Sequence, residues 1–281
     1  MTAAVASAGR SVLRRRPAGA GALTPASGAG LGVAMLWFSL LVLLPLSAVV
    51  LRAAEGGWGE AWATITNAQT LAAIRLTVLA ALGVTAVNVV MGTLIAWVLV
   101  RDRFPGQRLL EVLIDIPFAL PTIVAGLVLL SLYGTDSPIG IDVANNRSAV
   151  VLAFLFVTLP FVVRTVQPVL AELDPEVEEA AASLGASRFT TFRRIVLPSI
   201  TPAIAAGAAL SFARGVSEYG SLVLLSGNLP FRTEVTSVRI LSSIENDNLS
   251  GAAAIATVLL LISFAVILVL DLLQRRMVRR G

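Results

Sequence analysis

The chain has 281 residues, 57% hydrophobic and 14% charged, with a formal net charge of +4; its mean hydropathy of +0.87 is too apolar for a soluble domain of this length. It has no cysteine and no histidine, and all 21 basic residues are arginine. Disulfides, thiolate nucleophiles, Cys/His metal sites, lysine Schiff bases and a phosphate-loop lysine are therefore excluded, so the chain does not hydrolyse ATP by that route and any uphill work must draw on a partner.

Residues 1–30 are mostly Ala, Gly, Ser, Pro and Arg. That composition cannot bury a core and predicts a disordered tail. The arginines followed by an apolar run resemble a secretory leader. The run is too long for a leader's apolar region and no convincing Ala-x-Ala cleavage site follows, so the reading is an uncleaved first helix.

Six apolar runs of spanning length follow. They are 31–51, 76–100, 116–135, 148–163 (extended to Gln167 for a full crossing), 195–213 continuing at 219–225, and 252–270. The expected fold is an all-α integral membrane bundle of six transmembrane helices over 31–273, with a basic tail at 274–281. Orientation follows from arginine placement. Arg10 and Arg14–Arg16, then Arg101, Arg103 and Arg108, then Arg188, Arg193 and Arg194, and last Arg275, Arg276, Arg279 and Arg280 all fall on one side of a six-span chain. Both termini are thus expected in the cytoplasm. The pI near 10.8 reflects this topology, and nucleic-acid binding is not indicated.

Within the runs, Pro117 and Pro121 free backbone carbonyls and predict a bend in the third span, which either widens a pathway or fits a neighbour. Gly83, Gly92, Gly126 and Gly207 read as close helix contacts. Arg214 and Glu218 lie four residues apart in an apolar segment. Charges there face the protein interior or water. They are either an element of a pathway or gate, together with Ser217 and Ser221, or an internal ion pair that fixes packing. Asn88, Glu111 and Asp115 invite the same two readings, the last two as the edge of the third span.

The segment 171–197 between the fourth and fifth runs carries the sharpest signal. Asp174–Pro175 reads as a helix start, with Asp as cap and Pro at the first helical position. Glu176, Glu178 and Glu179 suit the first-turn dipole. Val177, Ala180 or Ala181, and Leu184 make a stripe at helical spacing. Gly185 predicts a left-handed stop, and Ser187 a cap on a second short helix ending before Pro198. The result is a helix–turn–helix elbow whose small side chains admit another surface, or else an amphipathic hairpin packed under the bundle.

Glu179, Ala180, Ala181, Gly185, Ile195, Leu197 and Pro198 match every fixed position of E-A-A-x3-G-x9-I-x-L-P. This is the EAA loop of ABC-importer permeases. From about residue 31 onward the chain resembles inner-membrane permease subunits of type I importers with the methionine-permease-like fold. Phe104–Gly106, Leu159–Pro168, Ser217–Ser221 and above all Ser226–Val235 resemble the T-type permease of the sulfate/thiosulfate branch, although Ser217 departs from the Gly that many relatives carry there. The resemblance implies a pore shared with a W-type permease and two ATPase subunits docked on EAA loops. In this chain the docking residues would be Glu179, Ala180, Ala181, Leu184, Gly185, Ile195, Leu197 and Pro198. It also implies a periplasmic or lipid-anchored sulfate-binding protein and a multi-pass location in the inner or plasma membrane. No cofactor is expected on this chain, ATP and magnesium being used by the ATPase. The same machinery carrying molybdate, tungstate or phosphate is the alternative. A membrane enzyme would need a serine or aspartate mechanism without His, Cys or Lys, and a passive channel would need no ATPase dock.

Overall fold

The computed structural model describes residues 25–278 and falls into two compact units, divided between Ala48 and Val49. In the first unit, α1 (Pro25–Phe38) passes through a π turn (Ser39–Leu43) into the start of α2 (Leu44–Glu55). Ala26–Glu55 is one apolar stretch long enough to cross a bilayer. Its large side chains, Trp37 and Leu41 among them, stand exposed, as a lipid-facing helix requires. Helix therefore begins at Pro25, earlier than the tail boundary expected at residue 30; residues 1–24 lie outside those described.

The second unit holds α3 (Gly57–Thr66), α4 (Ala68–Arg101), α5 (Gln107–Ala119), α6 (Thr122–Tyr133) and α7 (Arg147–Ala171). It continues with α8 (Pro175–Ser183), α9 (Arg188–Thr191), α10 (Leu197–Val216), α11 (Gly220–Leu225), α12 (Thr236–Glu245) and α13 (Leu249–Val278). No strand occurs among the described residues. Asn67 starts α4 by accepting from the amides of Gln69 (2.9 Å) and Thr70 (3.4 Å), which satisfies two donors that have no partner within the helix. At the other end α13 runs through the expected tail boundary at 273. Arg275 pairs with Asp271 one turn back (2.8 Å), and Leu, Gln and Arg are all good helix formers.

Five helical stretches are long and apolar enough to cross a membrane, and α5 with α6 makes a sixth if the pair counts as one. The pair bends by 118° at Leu120–Pro121, the bend that Pro117 and Pro121 predict. Helices of 13 and 12 residues are each about 20 Å long or less, short of the ~30 Å of hydrocarbon. An Arg101–Glu178 ion pair puts the end of α4 on the same face as the elbow that follows α7, so α4 and α7 both finish there. The chain between them must change faces once. Gln107 at the start of α5 donates to the Leu99 carbonyl (2.7 Å) on the elbow face, and the Tyr133 carbonyl at the end of α6 accepts from Val143 just before α7.

α4, α7 and α10 form the centre. Gly92 and Gly207 both lie against Val162. A β-carbon at 92 would sit 2.8 Å from the Val162 Cβ, and one at 207 would sit 2.9 Å from the Val162 Cα. Only glycine lets the three backbones approach this closely. Gly83, by contrast, faces open space, so the close-contact reading does not hold there. One apolar cluster gathers around the fully buried Phe154 and Phe212, and a second around Val162, Val166, Leu170 and Ile200 nearer the elbow. Asn88 ties the three helices by donating to the hydroxyls of Thr158 (2.7 Å) and Ser211 (3.4 Å). It is a satisfied structural amide.

Candidate functional site

The elbow folds as its residues dictate. Asp174 caps α8 by accepting from the Glu176 amide (2.9 Å), with Pro175 at the first position. Gly185 stops it with φ +83°, a conformation disfavoured for any residue with a β-carbon. Ser187 caps α9 by accepting from the Thr190 amide (3.2 Å). The second helix does not end before Pro198. It widens into a π turn at Phe192–Val196 and runs on as α10, giving one stretch from Arg188 to Val216. The wider turn lies where the Pro198 ring would crowd the carbonyl of Arg194, four residues back.

Among the residues the elbow turns outward are three large apolar ones. Leu184 is 89% exposed and Phe189 71%, with Val177 also exposed. Glu179, Ala180, Gly185 and Pro198 are exposed as well, while Ala181, Ile195 and Leu197 are half-buried. Val177, Ala180 and Leu184 therefore do not seat the elbow against its own bundle. Other groups do. Glu178 pairs with Arg101, whose guanidinium lies 5.6 Å from the centre of the Trp97 ring, and Trp97 meets Phe192 edge-on at 5.3 Å. These contacts hold the elbow at the end of α4 and leave its apolar side uncovered. Neither Trp97 nor Arg101 was foreseeable as an anchor; the one hint was an aromatic four residues before an arginine at a span's end.

The intramembrane charges are arranged differently from a helix face. α10 ends at Val216, and Glu218 lies in the break Ser217–Tyr219 before α11. Its side chain is fully enclosed. Oε2 lies 2.7 Å from Nη2 of Arg214, outside the line of the N–H bond. Oε1 accepts from the amide (2.8 Å) and hydroxyl (2.7 Å) of Ser221, and the Glu218 carbonyl accepts from Ser237 (2.7 Å). Glu218 and Ser221 thus spend their polar atoms on each other and on Arg214 inside the fold. A pathway-lining role does not fit their burial; of the four residues suggested for a pathway, only Ser217 is exposed and Arg214 partly so. The break abuts the α5–α6 bend. A β-carbon on Gly220 would sit 2.9 Å from the Ile123 amide, and one on Gly126 2.8 Å from the Ser221 Cα. Irregular backbone at this depth is tolerated because it is buried in protein.

A second intramembrane pair was not apparent from sequence. Arg164 grips Asp115 through two hydrogen bonds, Nε to Oδ1 at 2.7 Å and Nη2 to Oδ2 at 2.5 Å. It also donates to the Glu111 carbonyl and to Gln167. In the sequence Asp115 reads as the edge of the third span and Arg164 is not singled out; their partnership spans 49 residues of sequence.

The model for binding-protein-dependent transport system inner membrane components matches residues 88–280. The chain is 45% identical over 257 residues to the sulfate transport system permease protein CysT of Salmonella typhimurium, covering 89% of this chain and 93% of that one. It is 42% identical over 250 residues to the protein of the same name from Synechocystis, covering 86% and 87%. Among solved structures it is similar to a bacterial ABC transporter that imports the acidic polysaccharide alginate, with a TM-score of 0.72 at 18% identity over 89% of this chain and 94% of that one. An amino acid ABC transporter superposes with a TM-score of 0.54 at 19% identity, over 74% and 94%.

Proposed function

We propose, for a chain that belongs to the family of binding-protein-dependent transport system inner membrane components, the import of sulfate, with thiosulfate as a second cargo. The chain is an ABC importer permease, a transporter subunit rather than an enzyme. The cargo rests on extensive identity to sulfate permeases.

The observation that carries the mechanism is the uncovered apolar side of the elbow, with Leu184 and Phe189 exposed on a rigidly capped turn. An apolar surface of this kind marks a partner site. The partner is a separate ATPase, one of two in the assembly, which uses ATP and magnesium that this chain does not bind. A second permease, W-type, completes the pore, and a binding protein delivers the anion from outside; a related alginate importer has been solved with its periplasmic protein. Both termini and the elbow face the cytoplasm, in keeping with their arginines. Closure of the ATPases pushes the elbow, and α9 transmits the push through the π turn into α10. A dianion needs such a route because its bare entry into hydrocarbon is prohibitive.

Gly185→Asp and Glu179→Lys should each abolish uptake of labelled sulfate while the chain still inserts and reaches the membrane. Normal uptake and normal ATPase co-purification in Gly185→Asp would refute the docking assignment. For the cargo, a strain lacking this chain and any other sulfate importer should require reduced sulfur. Loss of molybdate uptake with sulfate uptake intact would transfer the assignment to molybdate.

A further inference from the structure

On the face opposite the elbow, a groove of about 730 Å³ lies between α4, the start of α7 and the loop 226–235. Two guanidiniums line it, Arg75 from α4 and Arg147 from the first position of α7, and neither is paired with a carboxylate among the described residues. Arg75 makes no hydrogen bond or ion pair with any described residue. Arg147 spends its Nε and Nη2 on two backbone carbonyls, those of Arg232 (3.1 Å) and Phe231 (3.4 Å). One carboxylate, Glu234, also lines the groove. It is only 5% exposed and accepts from Gln69 (2.8 Å). Two positive groups against one negative leave the groove with a net positive charge. Its remaining walls include Leu76, Leu79 and Val151, and both arginines are exposed and so open to a ligand from solution.

The loop above is held in an unusual form. Asn228 has φ +49° and Phe231 φ +62°. A left-handed conformation is rare for a bulky aromatic, and such strain persists only where surrounding contacts enforce it. Arg147 supplies one such contact, bonding the carbonyl of Phe231 itself. The arginine is thereby fixed in place before any ligand arrives. Arg75 lies seven residues in from the start of α4, about 10 Å along the axis. α4 has 34 residues, about 51 Å, well beyond the hydrocarbon thickness. Arg75 therefore falls in the zone where water gives way to lipid.

We infer that this groove binds a tetrahedral oxyanion between Arg75 and Arg147. Planar guanidinium forks approaching from two helices suit an anion with several acceptor oxygens. The chemistry is shared by two sources: the cargo dianion waiting at the outer mouth, and the phosphate of an anionic lipid headgroup. The cargo source rests on the import reading above; the site itself does not.

The test uses the whole transporter in nanodiscs, without binding protein. Labelled sulfate binding is measured in phosphatidylcholine alone and with phosphatidylglycerol added, and lipid retained on the complex is identified by mass spectrometry. Arg75→Gln and Arg147→Gln are compared with Arg52→Gln, an exposed arginine outside the groove. Arg75→Lys keeps the charge and guards against misfolding, and co-purification of the ATPase shows an intact assembly. Sulfate binding at least tenfold weaker in both groove variants, unchanged in Arg52→Gln and partly kept in Arg75→Lys, supports the site with cargo as ligand. Sulfate binding abolished by phosphatidylglycerol, with retained lipid lost in the groove variants, supports the site with lipid as ligand. Sulfate and phosphatidylglycerol binding that are both indifferent to Arg75 and Arg147 overturn it. Binding is repeated with molybdate and phosphate. A transporter that imports molybdate in place of sulfate, yet needs both arginines to bind it, refutes the cargo reading and leaves the site standing.

Discussion

Removing Arg214 alone should harm the chain more than removing its charge together with that of Glu218. The carboxylate of Glu218 is fully enclosed and lies 2.7 Å from the guanidinium, whose side chain is 26% exposed. At an effective dielectric constant of about 20, unit charges ~4 Å apart attract by about 4 kcal/mol. Breaking a buried pair from one side costs about 3–5 kcal/mol, because the remaining charge stays buried without its partner. Ser221 keeps its two hydrogen bonds to Oε1 in that variant and offsets part of the loss, so Arg214→Ala should cost about 3 kcal/mol. Glu218→Gln preserves shape and the acceptor for Ser221 while removing the charge. The double variant Arg214→Ala with Glu218→Gln should therefore recover about 2 kcal/mol of that loss, a coupling within the range seen for contacting residues. The assay is the unfolding midpoint of the purified transporter in a graded denaturing detergent, read for wild type, both single variants and the double. Additive losses across the cycle would refute the reasoning, since they would mean that the two charges do not depend on each other.

Gly207→Val should prevent the close approach of α10 to α7, because its side chain would collide with Thr165 and the Val162 backbone; loss of folded chain at the membrane checks it. Asn88→Ala should destabilise by about 1–2 kcal/mol through the loss of its bonds to Thr158 and Ser211, measured by the same unfolding assay. Arg101→Glu should release the elbow, detected as faster proteolysis between residues 174 and 188, and Glu178→Arg in the same chain should restore protection. Cysteines placed singly near positions 140 and 230 should react with an impermeant reagent in intact cells, whereas one at position 279 should not.

The six apolar runs and the elbow were legible because each is written locally: run length, a cap, a glycine stop, a motif at fixed spacing. Asp174, Gly185 and Ser187 do what their side chains and backbones favour without help from distant residues. The bend at Pro121 was legible for the same reason, though its size was not, since a proline sets where a helix yields and the neighbours decide how far. The continuity of α9 with α10 was misread because a π turn leaves no compositional mark. Arg164 with Asp115, and Arg101 with Glu178, were invisible as pairs. A charge can be read singly from sequence, but pairing depends on which helices the tertiary packing brings together. Glu218 is the instructive case. Four-residue spacing from Arg214 was right, yet the helix stops between them, and the carboxylate caps the next short helix as well as meeting the guanidinium.

The unbroken stretch from Arg188 to Val216 has a mechanical consequence. It is 29 residues long, about 43 Å, and it is pinched against Val162 at Gly207, 19 residues from one end and nine from the other. A rod held at such a point behaves as a lever with unequal arms. If the stretch tilts as one body about that fulcrum, a 2 Å push at the elbow emerges as about 1 Å in the reverse direction at Val216, with roughly twice the force. The short arm ends where the two broken spans meet, at Ser217–Tyr219 and Leu120–Pro121. On that motion the stretch would trade travel for force at the point where the backbone is already interrupted.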